Sequence, residues 1–167
     1  MTPKFISDLR EKVGPDHLLW LPGVNAVVVD QRNHVLLQMR SDTREWSLLS
    51  GILDPGEQPA AGVVREVREE TGVEVVPECL VSVTVSPPVR HPHGDRAQYL
   101  ELTFRCRPAD DAQEAYAADD ESLQVAWFAP DGLPHMRSRV RERIELALSG
   151  RTTAWFTPPV AEHVVQG

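Results

Sequence analysis

The chain has 167 residues, 41% of them hydrophobic and 25% charged, with a formal net charge of −8. That length and composition exclude a disordered segment, and also a core-poor mini-protein that needs disulfide or metal staples. The acidic balance excludes a general nucleic-acid binder, which needs a basic footprint, and no apolar run reaches bilayer-spanning length.

Taken in chain order, Thr2-Pro3 starts a short helix that Gly14-Pro15 ends, so residues 1–14 form an N-terminal helix. Lys4, Asp8, Arg10, Glu11 and Lys12 break the apolar run that a secretory signal requires. Leu21 to Asp30 reads as a strand, Gln31-Arg32-Asn33 as a turn, and Val35 to Arg40 as the returning strand of a hairpin. Ser41 to Glu45 is a polar loop that leads to Trp46 and the apolar pair Leu48-Leu49.

Gly51 to Pro59 is a loop with two glycines and two prolines. Ala60 to Thr71 has helical period, and Gly72 stands where a helix stops. Val73 to Val85 and Ala97 to Arg107 read as strands, separated by a proline-rich loop from Ser86 to Arg96. Pro108 to Glu121 is an acidic loop and Leu123 to Phe128 a short strand. Pro134 to Ser149 is a helix with the apolar stripe Met136, Val140, Ile144, Ala147 and Leu148. Residues 150–167 form a tail whose Trp155-Phe156 is expected to pack on the domain or at a subunit contact. Strands with one mid-chain and one C-terminal helix suggest an α+β fold, a mixed sheet covered on both faces.

Cys79 and Cys106 lie in apolar, strand-like stretches and lack the spacing of a metal clip. They are expected to be small core residues in a reducing compartment, which implies a cytoplasmic location.

The chemistry concentrates between residues 51 and 73, GILDPGEQPAAGVVREVREETGV. Glu69 and Glu70 lie three and four residues beyond Glu66, so all three are expected on one side of the helix. Ala60, Val63, Val67 and Thr71 are expected on the other side, against the sheet. Like charges at these spacings destabilise a helix, and a bound divalent cation offsets that cost. Hard oxygen ligands suit magnesium or manganese rather than zinc. The plainer reading of three helical glutamates is a solvated acidic face, but Gly51, Gly56 and Glu57 form a turn-rich lead-in that can fold back over them.

This segment resembles the Nudix box, Gly-x5-Glu-x7-Arg-Glu-aliphatic-x-Glu-Glu-x-Gly-aliphatic. Gly51, Glu57, Arg65, Glu66, Val67, Glu69, Glu70, Gly72 and Val73 all match. The resemblance implies a single Nudix hydrolase domain over residues 1–167, with an α/β/α sandwich around a mixed sheet. It implies Glu66, Glu69 and Glu70 as ligands of Mg2+ or Mn2+, with the Gly51 carbonyl as a further ligand. Arg65 and Glu57 would orient these carboxylates. The reaction it implies is attack of water on a phosphorus of a diphosphate, with Glu66, Glu69 or a later-loop glutamate as general base. Glu114 and Glu121 are the later-loop candidates, and Glu121 is favoured because it immediately precedes the Trp127 strand. One departure is Leu49-Ser50, where many members carry Pro-Gly.

Substrate signals are sparser. In many ADP-ribose-cleaving members a proline lies about fifteen residues beyond the box, and Pro88 occupies that place. Arg90, His91, His93 and Arg96 are candidate phosphate or ribose contacts, against the plainer reading of an exposed polar loop. Trp46 is a candidate base-stacking residue, although core packing is the more ordinary role for it and for Trp127-Phe128.

The leading expectation is therefore hydrolysis of a nucleoside diphosphate derivative, ADP-ribose or a related sugar nucleotide. The alternatives are a nucleoside triphosphate pyrophosphohydrolase, a nucleotide-sensing module without activity, or a prenyl diphosphate isomerase, which needs an active-site cysteine. The expected partner is a small nucleotide, with no nucleic acid or membrane. The oligomeric state is left open, with a homodimer one candidate because members of the resembled family are commonly dimers.

Overall fold

The computed structural model describes residues 4–91 and 94–159. His93 and the tail from residue 160 lie outside these. The elements are α1 (Lys4–Val13), β1 (Leu19–Val28), β2 (Val35–Arg40), β3 (Trp46–Ser47), β4 (Leu49–Ile52), α2 (Pro59–Thr71), β5 (Val75–Val85), β6 (Val89–Arg90), β7 (Arg96–Pro108), β8 (Ser122–Phe128), α3 (Ser138–Leu148) and β9 (Trp155–Phe156).

Among the described residues the larger sheet has the order β4-β1-β7-β5-β9, with β6 alongside β7. It is mixed: β1 with β7 and β5 with β9 run parallel, and the other pairs antiparallel. A smaller antiparallel sheet has the order β3-β2-β8.

The alternation of side chains along β1 builds the two layers around the larger sheet. Val24, Ala26 and Val28 join Val63 and Val67 of α2 in one core. Val27 and Val29 face the other way, into a core with Val140, Ile144 and Ala147 of α3. Leu19 and Leu21 continue that second face under Ile6 of α1. A strand buried on both faces reads as a continuous apolar run, as β1 does from Val24 to Val28 apart from Asn25. The result is the expected α/β/α sandwich. No helix among the described residues is long and apolar enough to cross a membrane.

Several expectations are corrected. The hairpin of β1 and β2 is not formed: only Val29 and Val35 bridge the two strands, and β2 pairs instead with β3 and β8. Asn33, at φ 65, turns the chain out of the first sheet and into the second. The C-terminal helix begins at Ser138, four residues later than expected. Met136 still enters the core, from an extended segment that bridges to Trp46. Cys106 is buried as expected, but Cys79 is exposed, because the ladder shifts register between Pro77 and Cys79. Both thiols are free.

Trp155 and Phe156 pair with Ser82 and Val83 along the edge of the larger sheet, Trp155 half-buried and Phe156 exposed. Trp46 meets Phe128 edge-on, with ring centroids 4.8 Å apart, and packs on the α3 core. Trp127 faces the α2 core instead, so the two aromatics of β8 serve opposite layers.

Candidate active site

The lead-in loop and α2 are held together by Arg65. Its Nε and Nη2 each donate to one oxygen of Glu57, both at 2.8 Å, in a bidentate fork. Nη1 donates to Glu66 Oε1 at 2.8 Å and to Glu69 Oε2 at 3.2 Å. Nη2 also reaches the Ile52 carbonyl. One guanidinium thus gathers three carboxylates. Its hydrogen bonds hold Glu57 below the usual carboxylate range. Glu57 in turn accepts from the Asp54 amide at 3.0 Å, which closes the loop ahead of the helix.

The helix itself starts at Pro59, whose fixed φ suits the first turn. It stops at Gly72, at φ 70, whose amide donates to the Arg68 carbonyl. Val63, Val67 and Thr71 face the sheet as expected, whereas Ala60 is exposed.

The three helical glutamates do not share one face. Successive residues turn by about 100°, which puts Glu70 within about 20° of Val63 and inside the apolar stripe. Glu70 is accordingly only 2% exposed. Glu66 flanks that stripe, with its side chain 15% exposed. Glu69 turns outward, its side chain half exposed.

Position 51 has no room for a side chain. A Cβ there would stand 1.8 Å from Glu66 Cδ, so the carboxylate lies directly against the Gly51 backbone. Burial pushes the Glu66 carboxyl above the usual range, and Arg65 offsets part of that effect. Glu70 Oε2 accepts from the Ser50 amide at 3.0 Å, and Oε1 accepts from Gln38 Nε2 at 2.8 Å. Burial still dominates and pushes the Glu70 carboxyl up to about 8. The Leu49-Ser50 departure therefore keeps a function that proline at 49 and glycine at 50 would serve equally, since the donor is the amide of residue 50.

Two of these carboxylates, Glu66 and Glu70, converge at the β4 edge, beside the Gly51 backbone. Among the described residues no three His, Cys, Asp or Glu side chains form a ready-made metal cage. The donors present are nonetheless all hard oxygens in a partly dehydrated site of excess negative charge. That fits a divalent cation of the magnesium class.

Glu121 is half-buried at the threshold of β8. Its amide is held by Asp119, and its carbonyl accepts from the Ser41 amide. It precedes Ser122, whose hydroxyl bonds to Gln38 and so lies one side chain from Glu70. Glu114 is exposed in the acidic loop.

The loop candidates have other partners. Arg90 bonds to Asp16 and the Gly94 carbonyl, Arg96 to the Asp16 carbonyl, and His91 Nε2 lies 2.8 Å from the Tyr99 hydroxyl. These contacts tie β6 and β7 to the α1–β1 connection, and none joins Arg90, His91 or Arg96 to the box carboxylates.

Gln38, Ser50 and Ser122 were not anticipated from sequence. A glutamine inside the apolar run of β2 was the available signal.

A model of the NUDIX domain matches residues 19–147, so the chain belongs to the NUDIX family of hydrolases. It is similar to a MutT-like protein of Streptomyces ambofaciens, 31% identical over 81% of this chain and 80% of that one. It is also similar to the human 8-oxo-dGDP phosphatase NUDT18, 33% identical over 66% of this chain. There it spans only 33% of the relative's length. The fold matches that of an ADP-ribose pyrophosphatase from Streptococcus suis with a TM-score of 0.62 and 22% identity, over 81% of this chain and 96% of that one.

Proposed function

We propose that the chain hydrolyses the diphosphate linkage of a nucleoside diphosphate derivative, with ADP-ribose or a related sugar nucleotide as the leading substrate. The observation that carries the reading is the seating of Glu66 against the Gly51 backbone, with the buried Glu70 beside it. Glu66, Glu69, Glu70 and the Gly51 carbonyl would hold Mg2+ or Mn2+. Such an ion, when bound, neutralises charge on the diphosphate oxygens and makes a bound water more acidic.

The chain's own residues supply orientation. Arg65 keeps the Glu66 and Glu69 carboxylates facing the loop, and Glu57 fixes the plane of Arg65. Glu121 is the general base in this reading, because it stands at the head of β8 next to the Ser122–Gln38–Glu70 contacts. The sugar nucleotide is supported by the spacing of Pro88 beyond the box.

A second reading is clearance of damaged nucleoside di- or triphosphates, favoured by similarity to the human 8-oxo-dGDP phosphatase. Product analysis of a substrate screen with Mg2+ or Mn2+ separates the two. AMP and ribose 5-phosphate from ADP-ribose support the first. A nucleoside monophosphate with phosphate or pyrophosphate supports the second. No turnover of any diphosphate or triphosphate with either ion would sink both.

A further inference from the structure

Gln38 is fully buried in β2, among Leu36, Leu37 and Val35. A buried amide is destabilising unless its donors and acceptor are matched. Here they are. Nε2 donates to Glu70 Oε1 at 2.8 Å and to the Leu48 carbonyl at 3.2 Å, and Oε1 accepts from Ser122 Oγ at 2.5 Å. The partners also fix which way the amide lies. Turned over, Oε1 would face the Leu48 carbonyl, which accepts and has no hydrogen to give.

A β-bulge aims Ser122 at this point. Met39 pairs with Gln124, and the next residue, Arg40, pairs with Ser122, so Leu123 is the extra residue of β8. In a regular ladder Leu123 would stand opposite Arg40. The bulge instead expels Leu123 to solvent and puts Ser122 on the face that Gln38 and Arg40 share.

We infer that Gln38 and Ser122 are positioning residues for the Glu70 carboxylate: Ser122 orients the Gln38 amide, and the amide holds Glu70 toward the cation. The inference rests on the reading of Glu70 as a metal ligand. An apolar side chain of similar size would fill the same space without the need to satisfy an amide. The one side chain that Gln38 donates to is Glu70. Gln38 takes one oxygen and the Ser50 amide takes the other, at 3.0 Å, so the plane of the carboxylate is set from two sides. Partners of metal-ligating groups commonly change metal affinity by roughly ten- to a hundred-fold when removed.

The test is Mn2+ titration of the full chain, followed by electron paramagnetic resonance, with melting of the chelator-treated protein as a check on folding. Gln38→Met should weaken Mn2+ binding by roughly ten-fold or more. Ser122→Ala should weaken it by a smaller factor, and Ser122→Thr, which keeps the hydroxyl, should restore wild-type binding. In a Glu70→Gln background, Gln38→Met should have no further effect, because it acts through Glu70. Wild-type binding by both Gln38→Met and Ser122→Ala overturns the inference. So does an equal loss from Gln38→Met with and without Glu70. Absence of Mn2+ binding by the wild type would overturn the metal-site reading itself, and this inference with it.

Discussion

The Glu66 carboxylate occupies the space in which a side chain at position 51 would stand, 1.8 Å from the Cβ that Gly51 lacks. Gly51→Ala therefore displaces a candidate ligand rather than merely crowding a loop. The expected result is loss of turnover of roughly a hundred-fold or more, with a stability loss of about 1–3 kcal/mol typical of overpacking. Steady-state kinetics and thermal melting measure the two separately. Unchanged kcat in this variant would show that the placement of Glu66 does not matter to the reaction.

Arg65 meets Glu57 through a planar two-nitrogen fork, which lysine cannot reproduce. Arg65→Lys keeps the charge and loses the geometry. We expect a fall in kcat of roughly ten- to a hundred-fold while the fold persists. Circular dichroism alongside kinetics checks this, and full activity in the lysine variant would reduce Arg65 to a source of charge.

Burial pushes the Glu70 carboxyl up to about 8 from an ordinary 4.5. Between those values the folded chain keeps a proton that the unfolded chain has lost. Stability must then fall as pH rises from about 5 to about 8. Glu66, also raised by burial, acts in the same direction. Glu57 is lowered by Arg65, so its contribution is lost only on acidification, outside this window. Chelator-treated protein should melt at a lower temperature near pH 8 than near pH 5, and Glu70→Gln should flatten that slope. If Glu70 is a ligand as proposed, Mg2+ should raise the melting temperature most at the alkaline end, where its carboxyl is ionised. A rise in chelator-treated melting temperature with pH, shared equally by Glu70→Gln, would contradict the assignment.

Arg139 and Arg143, one turn apart on α3, both donate to Glu101 of β7. The side chains of Glu101 and Arg143 are 14% and 11% exposed. Removal of the shared partner leaves Arg143 charged and enclosed, which typically destabilises by about 3–5 kcal/mol. Glu101→Ala should lower stability by an amount in that range, read by denaturant unfolding. Arg139→Ala should have a much smaller effect, since that side chain is 39% exposed.

Much of this was legible in the chain because periodicity reports burial. The Val- and Ala-rich run of β1, the apolar positions 63, 67 and 71 of α2 and the order of strands and helices suggested a mixed sheet covered on both faces. The match of Gly51, Glu57, Arg65, Glu66, Glu69 and Glu70 to the Nudix box marked the candidate site. The exchange of β2 into a second sheet was not legible. Hairpin and crossover strands carry the same local pattern, and the choice depends on pairing with β8, far along the chain. Glu69 and Glu70 are neighbours in sequence and look equivalent there. Only the packed helix shows that one faces water and the other Gln38. Cys79 read as core because a register shift in β5 has no signature in composition.

The acidic stretch ahead of β8 looks like a spacer whose length is free to drift, as surface loops usually allow. Its backbone says otherwise. The Tyr116 and Ala118 amides donate to the Thr71 and Glu70 carbonyls at the end of α2, and the Tyr116 ring lies over Gly72, where a Cβ would meet it at 2.4 Å. From that fixed point the chain must reach Ser122 in register with Gln38. The stretch is a ruler. Apart from Asp119 and Glu121, residues within it can change identity, but an insertion or deletion between Tyr116 and Ser122 would pull the Ser122 hydroxyl off the Gln38 amide and leave the deepest carboxylate of the site held from one side.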